Sequence, residues 1–80
     1  MAKKTSREEK EFLVKLGNRI REIRESRNMT QQDLGFQSTV HDNLVGRVER
    51  GEMGTNILNL RKLALTLHVE VSDFLDFEKH

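Results

Sequence analysis

The 80-residue chain contains no cysteine, no proline, no tryptophan and no tyrosine. Without cysteine, the chain has no disulfides, thiolate metal sites, iron–sulfur ligands or cysteine nucleophile. The absence of proline and the low aromatic content of 5% disfavour a β-sandwich rich in turns and favour helices. The length suffices for one domain and is too short for two. We therefore expect a single all-α domain held together by its own apolar core.

Long apolar runs are also missing. No stretch approaches the ~18 residues of a membrane span, and the polar, basic N-terminus lacks the apolar core of a secretory signal. His41, His68 and His80 have no metal-ligand spacing, and no serine or threonine has a base with a defined role. We expect a cytoplasmic protein with no membrane partner, no metal, no cofactor and no catalytic residue.

Charge is distributed unevenly along the chain, although the net charge is only +1. Residues 1–27 carry nine basic and five acidic side chains, residues 28–51 carry two and three, and residues 52–80 carry three and five. A basic N-terminal third suits a polyanionic partner, but a charge run is more often a solvated helix face. Charge alone therefore does not identify the partner.

Apolar periodicity predicts a long first helix over about residues 7–26, because apolar side chains recur at steps of four, four and three residues. Ser6 with Glu9, or Thr5 with Glu8, has the spacing of a capping box for this helix. The chain would then divide into a basic extension and helix start, a helical domain and a tail, which cover residues 1–11, 12–77 and 78–80.

Two short helices are predicted next. Thr30 with Asp33 is a capping signal for a second helix over about residues 31–38, whose buried face would hold Leu34 and Phe36. The alternative for Phe36 is a role in binding a partner. A turn of three or four residues leads to a third helix of about residues 42–50, which Gly51 ends. In this third helix, Val45 and Val48 would point toward the core. The polar residues Asn43, Arg47 and Arg50 would point outward.

Asn56 is the expected cap of a fourth helix with a broad apolar stripe. The stripe comprises Ile57, Leu60, Leu63, Ala64 and Leu67. A last short helix would contain Phe74, Leu75 and Phe77. The pattern as a whole predicts a compact five-helix bundle.

Two short helices joined by a tight turn, the second with a polar outer row, are what a helix-turn-helix requires. Three blocks raise the specificity: residues 29–34 read MTQQDL, residues 45–51 read VGRVERG, and residues 60–69 read LRKLALTLHV. In these blocks the chain resembles the phage repressor and Cro class of helix-turn-helix domains, the XRE family, without gaps from Met29 to Leu75. The resemblance implies a lambda repressor-like DNA-binding domain over roughly residues 12–75.

The resemblance also implies a role for each matching residue. Gln31 and Arg50 match positions that contact DNA phosphates, and Asp42, Asn43 and Arg47 match positions that read bases in the major groove. An arginine can bond guanine O6 and N7 together, and an asparagine can pair with adenine in the same way. The alternatives are a solvated surface arginine at position 47 and an asparagine that merely begins the helix.

Two further roles follow from the resemblance. Arg24 and Glu49 match an internal ion pair that ties the first helix to the third, which bears on the fold rather than on DNA. Symmetric dimers of this family commonly use the C-terminal region, so Phe74, Leu75 and Phe77 are the expected dimer interface.

The chain departs from the family pattern at several positions. Asp42 and Glu52 place carboxylates where phosphates would approach, and Asp42 would have to accept from cytosine N4 to help binding. Thr39 stands where glycine is preferred in the turn. Leu44 either touches a thymine methyl or fills the core, and Gly46 indicates either close approach to DNA or simple tolerance.

These expectations converge on a sequence-specific, homodimeric transcriptional regulator of a bacterium or phage, with double-stranded DNA as its partner. Restriction–modification controllers are similar in size and general pattern, by analogy alone. The alternative is a protein-interaction module that keeps the fold with weak or no DNA binding, bound to a protein partner.

Overall fold

The computed structural model describes the backbone of residues 2–78 and the side chains of residues 6–77. Within this range the chain forms five α-helices and no strand, as expected. The helices are α1 (Ala2–Ser26), α2 (Gln31–Ser38), α3 (Asp42–Glu49), α4 (Ile57–Leu67) and α5 (Val71–Phe74), followed by a 3-10 turn at Asp76–Glu78. None of the described helices is long and apolar enough to cross a membrane.

Helix α1 begins earlier than its periodicity predicts. It starts at Ala2, so Ser6 lies inside the helix and its expected role as a cap is wrong. No glycine or proline interrupts residues 2–16, and the lysines and glutamates there have high helix propensity. The side chain of Thr5 and most of the predicted tail at residues 78–80 lie outside the described residues.

The caps predicted for α2 and α4 are present. Thr30 Oγ1 accepts from the Asp33 backbone N–H at 3.0 Å, and Asp33 Oδ2 accepts from the Thr30 backbone N–H at 3.0 Å. The hydrogen bonds with the Thr30 backbone and then with its side chain hold the pKa of Asp33 below its usual value. At α4, Asn56 Oδ1 accepts from the Asn59 backbone N–H at 2.8 Å. These bonds satisfy backbone donors that the first turn of a helix leaves free.

One apolar core joins all five helices. Its buried members are Leu16, Ile20, Ile23, Leu34, Val40, Val45, Val48, Leu63, Ala64, Leu67 and Phe74. Two expected members are wrong, because Phe36 is 86% exposed and Ile57 is 68% exposed. Leu34 and Phe36 are two residues apart, so they lie on opposite sides of α2 and cannot both face the core. Ile57 lies in the first turn of α4 and leaves its side chain in solvent.

The C-terminal aromatics are more deeply packed than expected. Phe74 is fully buried inside the subunit, so its assignment to a dimer interface is wrong. Leu75 and Phe77 are half-buried, and the Phe77 ring packs edge-to-face on Phe12 with centroids 5.4 Å apart. The last turn therefore closes the domain against α1, which accounts for most of its apolar residues.

A close approach between α1 and α3 fixes the position of the third helix. A Cβ on Gly17 would lie 2.5 Å from the carbonyl oxygen of Glu49, closer than real Cβ atoms come to backbone. Glycine at position 17 thus allows the α1 backbone to contact the C-terminal end of α3. This contact fixes the position of α3 relative to α1, and with it the position of the outer face of α3.

Candidate nucleic-acid interface

The turn between α2 and α3 consists of Thr39, Val40 and His41. Thr39 has φ 62° and ψ 27°, the left-handed conformation that the family usually gives to glycine. Val40 is buried, and its backbone N–H donates to the Gly35 carbonyl at 3.0 Å. The turn therefore has the left-handed geometry of a helix-turn-helix with a β-branched residue at its strained position.

A buried ion pair connects α1 to the end of α3. Arg24 Nε donates to Glu49 Oε2 at 2.7 Å, and Arg24 Nη2 donates to Glu49 Oε1 at 2.9 Å. Arg24 Nη1 donates to the Met29 carbonyl at 2.7 Å, in the connection before α2. The hydrogen bond with Glu49 raises the pKa of Arg24 against the opposing effect of burial. The expected pair is thus present, and it also orders the chain that leads into α2.

Gln31 joins the same network. Its Nε2 donates to Glu49 Oε1 at 3.0 Å, and because a carboxylate only accepts, the amide nitrogen must face Glu49. Nε2 keeps one further hydrogen, and the Gln31 backbone N–H lies in the first turn of α2. Gln31, which is expected to contact a phosphate, is half-buried. Its side chain is oriented by the hydrogen bond to Glu49 of the buried ion pair.

The outer row predicted on α3 faces solvent. Asn43, Arg47 and Arg50 are exposed, with 56% and 57% of the two arginine side chains accessible. Val45 and Val48 are each 1% exposed and anchor the opposite face in the core. We call Asn43, Arg47 and Arg50 the polar ridge. Its side chains are long enough to reach base edges and phosphates from a helix lying in a major groove.

Glu52 forms ion pairs with both arginines of the polar ridge. Its Oε2 accepts from Arg50 Nε at 2.7 Å, and its Oε1 lies 3.5 Å from Arg47 Nε. The hydrogen bond with Arg50 lowers the pKa of Glu52 and raises the pKa of Arg50. From the sequence, Glu52 was predictable only as a carboxylate near the expected phosphates. Gly51, with φ 75°, reverses the chain and brings Glu52 back onto α3. The glycine directly before Glu52 was the sequence signal for this reversal.

The other acidic residue lies at the opposite end of α3. Asp42 is exposed in the first turn, where the positive end of the helix dipole stabilises a carboxylate. His41 precedes it without a side-chain capping bond. Leu44 is half-buried and packs against the core, which supports its core-filling interpretation. The charges of Asp42 and Glu52 offset those of Arg47 and Arg50.

Gly46 lies between the two residues expected to contact phosphates. A Cβ at this position would lie 3.1 Å from Arg50 Nη1 and 3.2 Å from Gln31 Oε1. Gly46 is buried beneath these two side chains, whose ends would have to shift to admit a methyl group. A side chain at position 46 would therefore displace Gln31 and Arg50, the two residues that the resemblance assigns to DNA phosphates.

The chain is similar in sequence to known helix-turn-helix proteins. The sequence profile of the family described as helix-turn-helix, HTH_3, matches residues 20–74. The control protein C.BamHI of Bacillus amyloliquefaciens is 36% identical over 62 residues, which cover 76% of either chain.

Solved structures show the same fold. The restriction-modification controller protein C.AhdI of Aeromonas hydrophila superposes with a TM-score of 0.76 at 39% identity, covering 78% of this chain and 94% of that one. The clp gene regulator ClgR of Corynebacterium glutamicum superposes with a TM-score of 0.77 at 25% identity, covering 81% and 69%. The chain belongs to the HTH_3 helix-turn-helix family, which confirms its resemblance to the phage repressor and Cro class.

Proposed function

We propose that the chain is a sequence-specific DNA-binding transcription regulator that inserts α3 into the major groove as a homodimer. The observation that carries the proposal is the polar ridge, exposed on α3 while Val45 and Val48 hold the helix in the core. Membership of the helix-turn-helix family supports the same use of this surface.

Each residue of the interface has a proposed role. Arg47 donates two hydrogen bonds to a guanine, Asn43 pairs with an adenine, and Asp42 accepts from a cytosine N4 at the start of α3. Gln31 and Arg50 contact phosphates on either side of Gly46. The oriented Gln31 amide and the N-terminus of α2 favour an anion at that place.

The genes under control are proposed from the relatives. C.BamHI is named a control protein, and C.AhdI is named a restriction-modification controller. We propose that this chain acts in the cytoplasm as a controller of the same kind. The structural match covers 94% of the length of C.AhdI, so nearly all of that protein has a counterpart in this chain.

Homodimerisation is part of the proposal, because two recognition helices about one turn of DNA apart, ~34 Å, require two subunits. Leu58 and Leu65 are 58% exposed on the side of α4 opposite the core. Seven residues apart, they form one apolar stripe. With Phe74 assigned to the core, we propose this stripe, with the partly exposed Leu75 and Phe77, as the surface that meets the second subunit.

Selection of duplexes from a random pool tests the function. We expect enrichment of a site with two related halves about one helical turn apart. A dimer that neutralises roughly six phosphates should show a log-log salt slope near −5 on that site. A flat salt dependence and no enriched sequence would contradict the proposal.

A protein-interaction module is the second candidate, and one observation favours it. The carboxylates of Asp42 and Glu52 offset the charges of Arg47 and Arg50, so the interface attracts a polyanion less than a basic helix would. The same selection distinguishes the two functions, because an interaction module would enrich no duplex.

A further inference from the structure

The backbone places Glu52 beside the polar ridge. Its N–H donates to the Arg47 carbonyl at 3.0 Å, directly after the left-handed Gly51. From this position the carboxylate reaches both arginines of the polar ridge, at 2.7 Å for Arg50 and 3.5 Å for Arg47. A single anion therefore occupies the two cations that the proposed function assigns to DNA.

Both contacts are made through Nε of the arginine. A guanidinium bound at Nε still has an edge formed by Nη1 and Nη2, which can donate two parallel hydrogen bonds to guanine O6 and N7. A base can therefore be read while the carboxylate stays in place. A phosphate that approaches Arg47 in place of a base meets the carboxylate of Glu52 and is repelled by its charge.

We propose that Glu52 is a specificity-determining residue, which restrains Arg47 from the phosphates of random DNA and presents it to the base edge of the correct site. The inference rests on the proposed function. Specificity is the difference between two affinities, and a group that weakens binding to wrong sites raises it as effectively as a new contact with the right one. The depressed pKa of Glu52 is consistent with a carboxylate that stays ionised beside the two arginines.

Glu52 contributes little to folding, which makes the inference testable by substitution. Its side chain is 45% exposed, and exposed ion pairs add little to stability. Glu52→Gln removes the charge and keeps the size. Glu22→Gln is the matched control, because Glu22 is an exposed glutamate paired with Arg19 at 3.7 Å on α1, away from the polar ridge.

The experiment measures binding of wild type, Glu52→Gln and Glu22→Gln to a random duplex and to the selected duplex over a range of salt concentrations. For Glu52→Gln we expect roughly tenfold tighter binding to random duplex at low salt, and a slope steeper by about two for the dimer. The ratio of selected to random affinity should fall by roughly tenfold, because the selected site gains less. Glu22→Gln should match wild type on both duplexes.

The outcomes separate this inference from the function on which it rests. If wild type binds the selected duplex and Glu52→Gln leaves the affinity ratio unchanged, the inference fails and the proposed function stands. If wild type shows no salt-dependent binding to any duplex, both fail. Glu52→Ser is a second variant, and it must show the same fall in the affinity ratio.

Discussion

Thr39 is the residue at which local geometry and side-chain type conflict most directly. A β-branched residue in the left-handed region costs about 1–2 kcal/mol relative to a comfortable conformation. Thr39 is exposed, and its hydroxyl donates only to the adjacent Ser38 carbonyl, at 2.5 Å. Among the described residues, the side chain therefore has no hydrogen bond to another helix that would offset the strain.

Replacing Thr39 by glycine should accordingly stabilise the protein. We expect Thr39→Gly to raise the free energy of unfolding by about 1 kcal/mol, measured by urea denaturation. Gln37→Gly, an exposed position inside α2, is the control and should lower it by about 1 kcal/mol. A loss of stability in both variants would show that the turn is not strained at Thr39.

The Arg24–Glu49 pair is a residue-scale feature with consequences for three helices. Removing one partner leaves a buried charge, so Arg24→Met should lower the free energy of unfolding by about 3–5 kcal/mol. The double variant Arg24→Met/Glu49→Leu should lose less than the sum of the two single variants, because no charge is left unpaired. Thermal unfolding of all four proteins measures this coupling, and strict additivity would mean that the pair is not coupled.

At the scale of the element, α3 carries a glycine that costs helix stability. Gly46→Ala should raise the free energy of unfolding by less than the ~1 kcal/mol difference in helix propensity, because the added methyl must displace Arg50 and Gln31, and Gln31 is bonded to Glu49. It should also displace the two proposed phosphate contacts and weaken binding to every duplex. Denaturation and DNA titration of the same variant check both effects. Tighter binding by the more stable variant would exclude an interface role for Gly46.

Helix α4 carries the proposed contact between subunits. Leu58→Lys with Leu65→Lys should shift the protein to monomer in analytical ultracentrifugation without changing its fold, because both leucines face solvent in the subunit. Phe74→Ala should instead destabilise the subunit by about 3–5 kcal/mol, because the ring is fully buried. An unchanged sedimentation coefficient of the double variant would place the interface elsewhere.

Elements with strong local signals were predictable from the sequence. The caps at Thr30 and Asn56 and the inward valines of α3 depend on spacing within one helix, and the structure has them where expected. The start of α1 was not predictable from Ser6, since a serine caps a helix only where the preceding residues are not helical themselves.

Features that depend on contacts between helices were harder to predict from the sequence. Gly17 looks like a mild penalty in a helix until α3 is packed against it. Phe74 was misassigned because a four-residue helix has no periodicity from which a buried face can be read. The residues of the candidate site were predicted individually. The ion pairs of Glu52 with Arg47 and Arg50 form only because Gly51 turns the chain back.

At the scale of the whole molecule, the α1–α3 contact, the buried ion pair and the shared core all hold one helix with its polar ridge outward. Each subunit has a single proposed recognition helix, α3, so two subunits are needed to place such helices in two successive major grooves on one face of DNA. The proposed function therefore depends on whether α3 reads base edges.

Titration of wild type and Arg47→Ala against the selected duplex, and against duplexes changed one base pair at a time, tests that claim most directly. We expect Arg47→Ala to lose about 1–3 kcal/mol on the selected duplex and to stop discriminating at a single base pair in each half-site. An equal loss on all duplexes would make Arg47 a phosphate contact, and wild-type affinity with intact discrimination would show that α3 does not read the DNA.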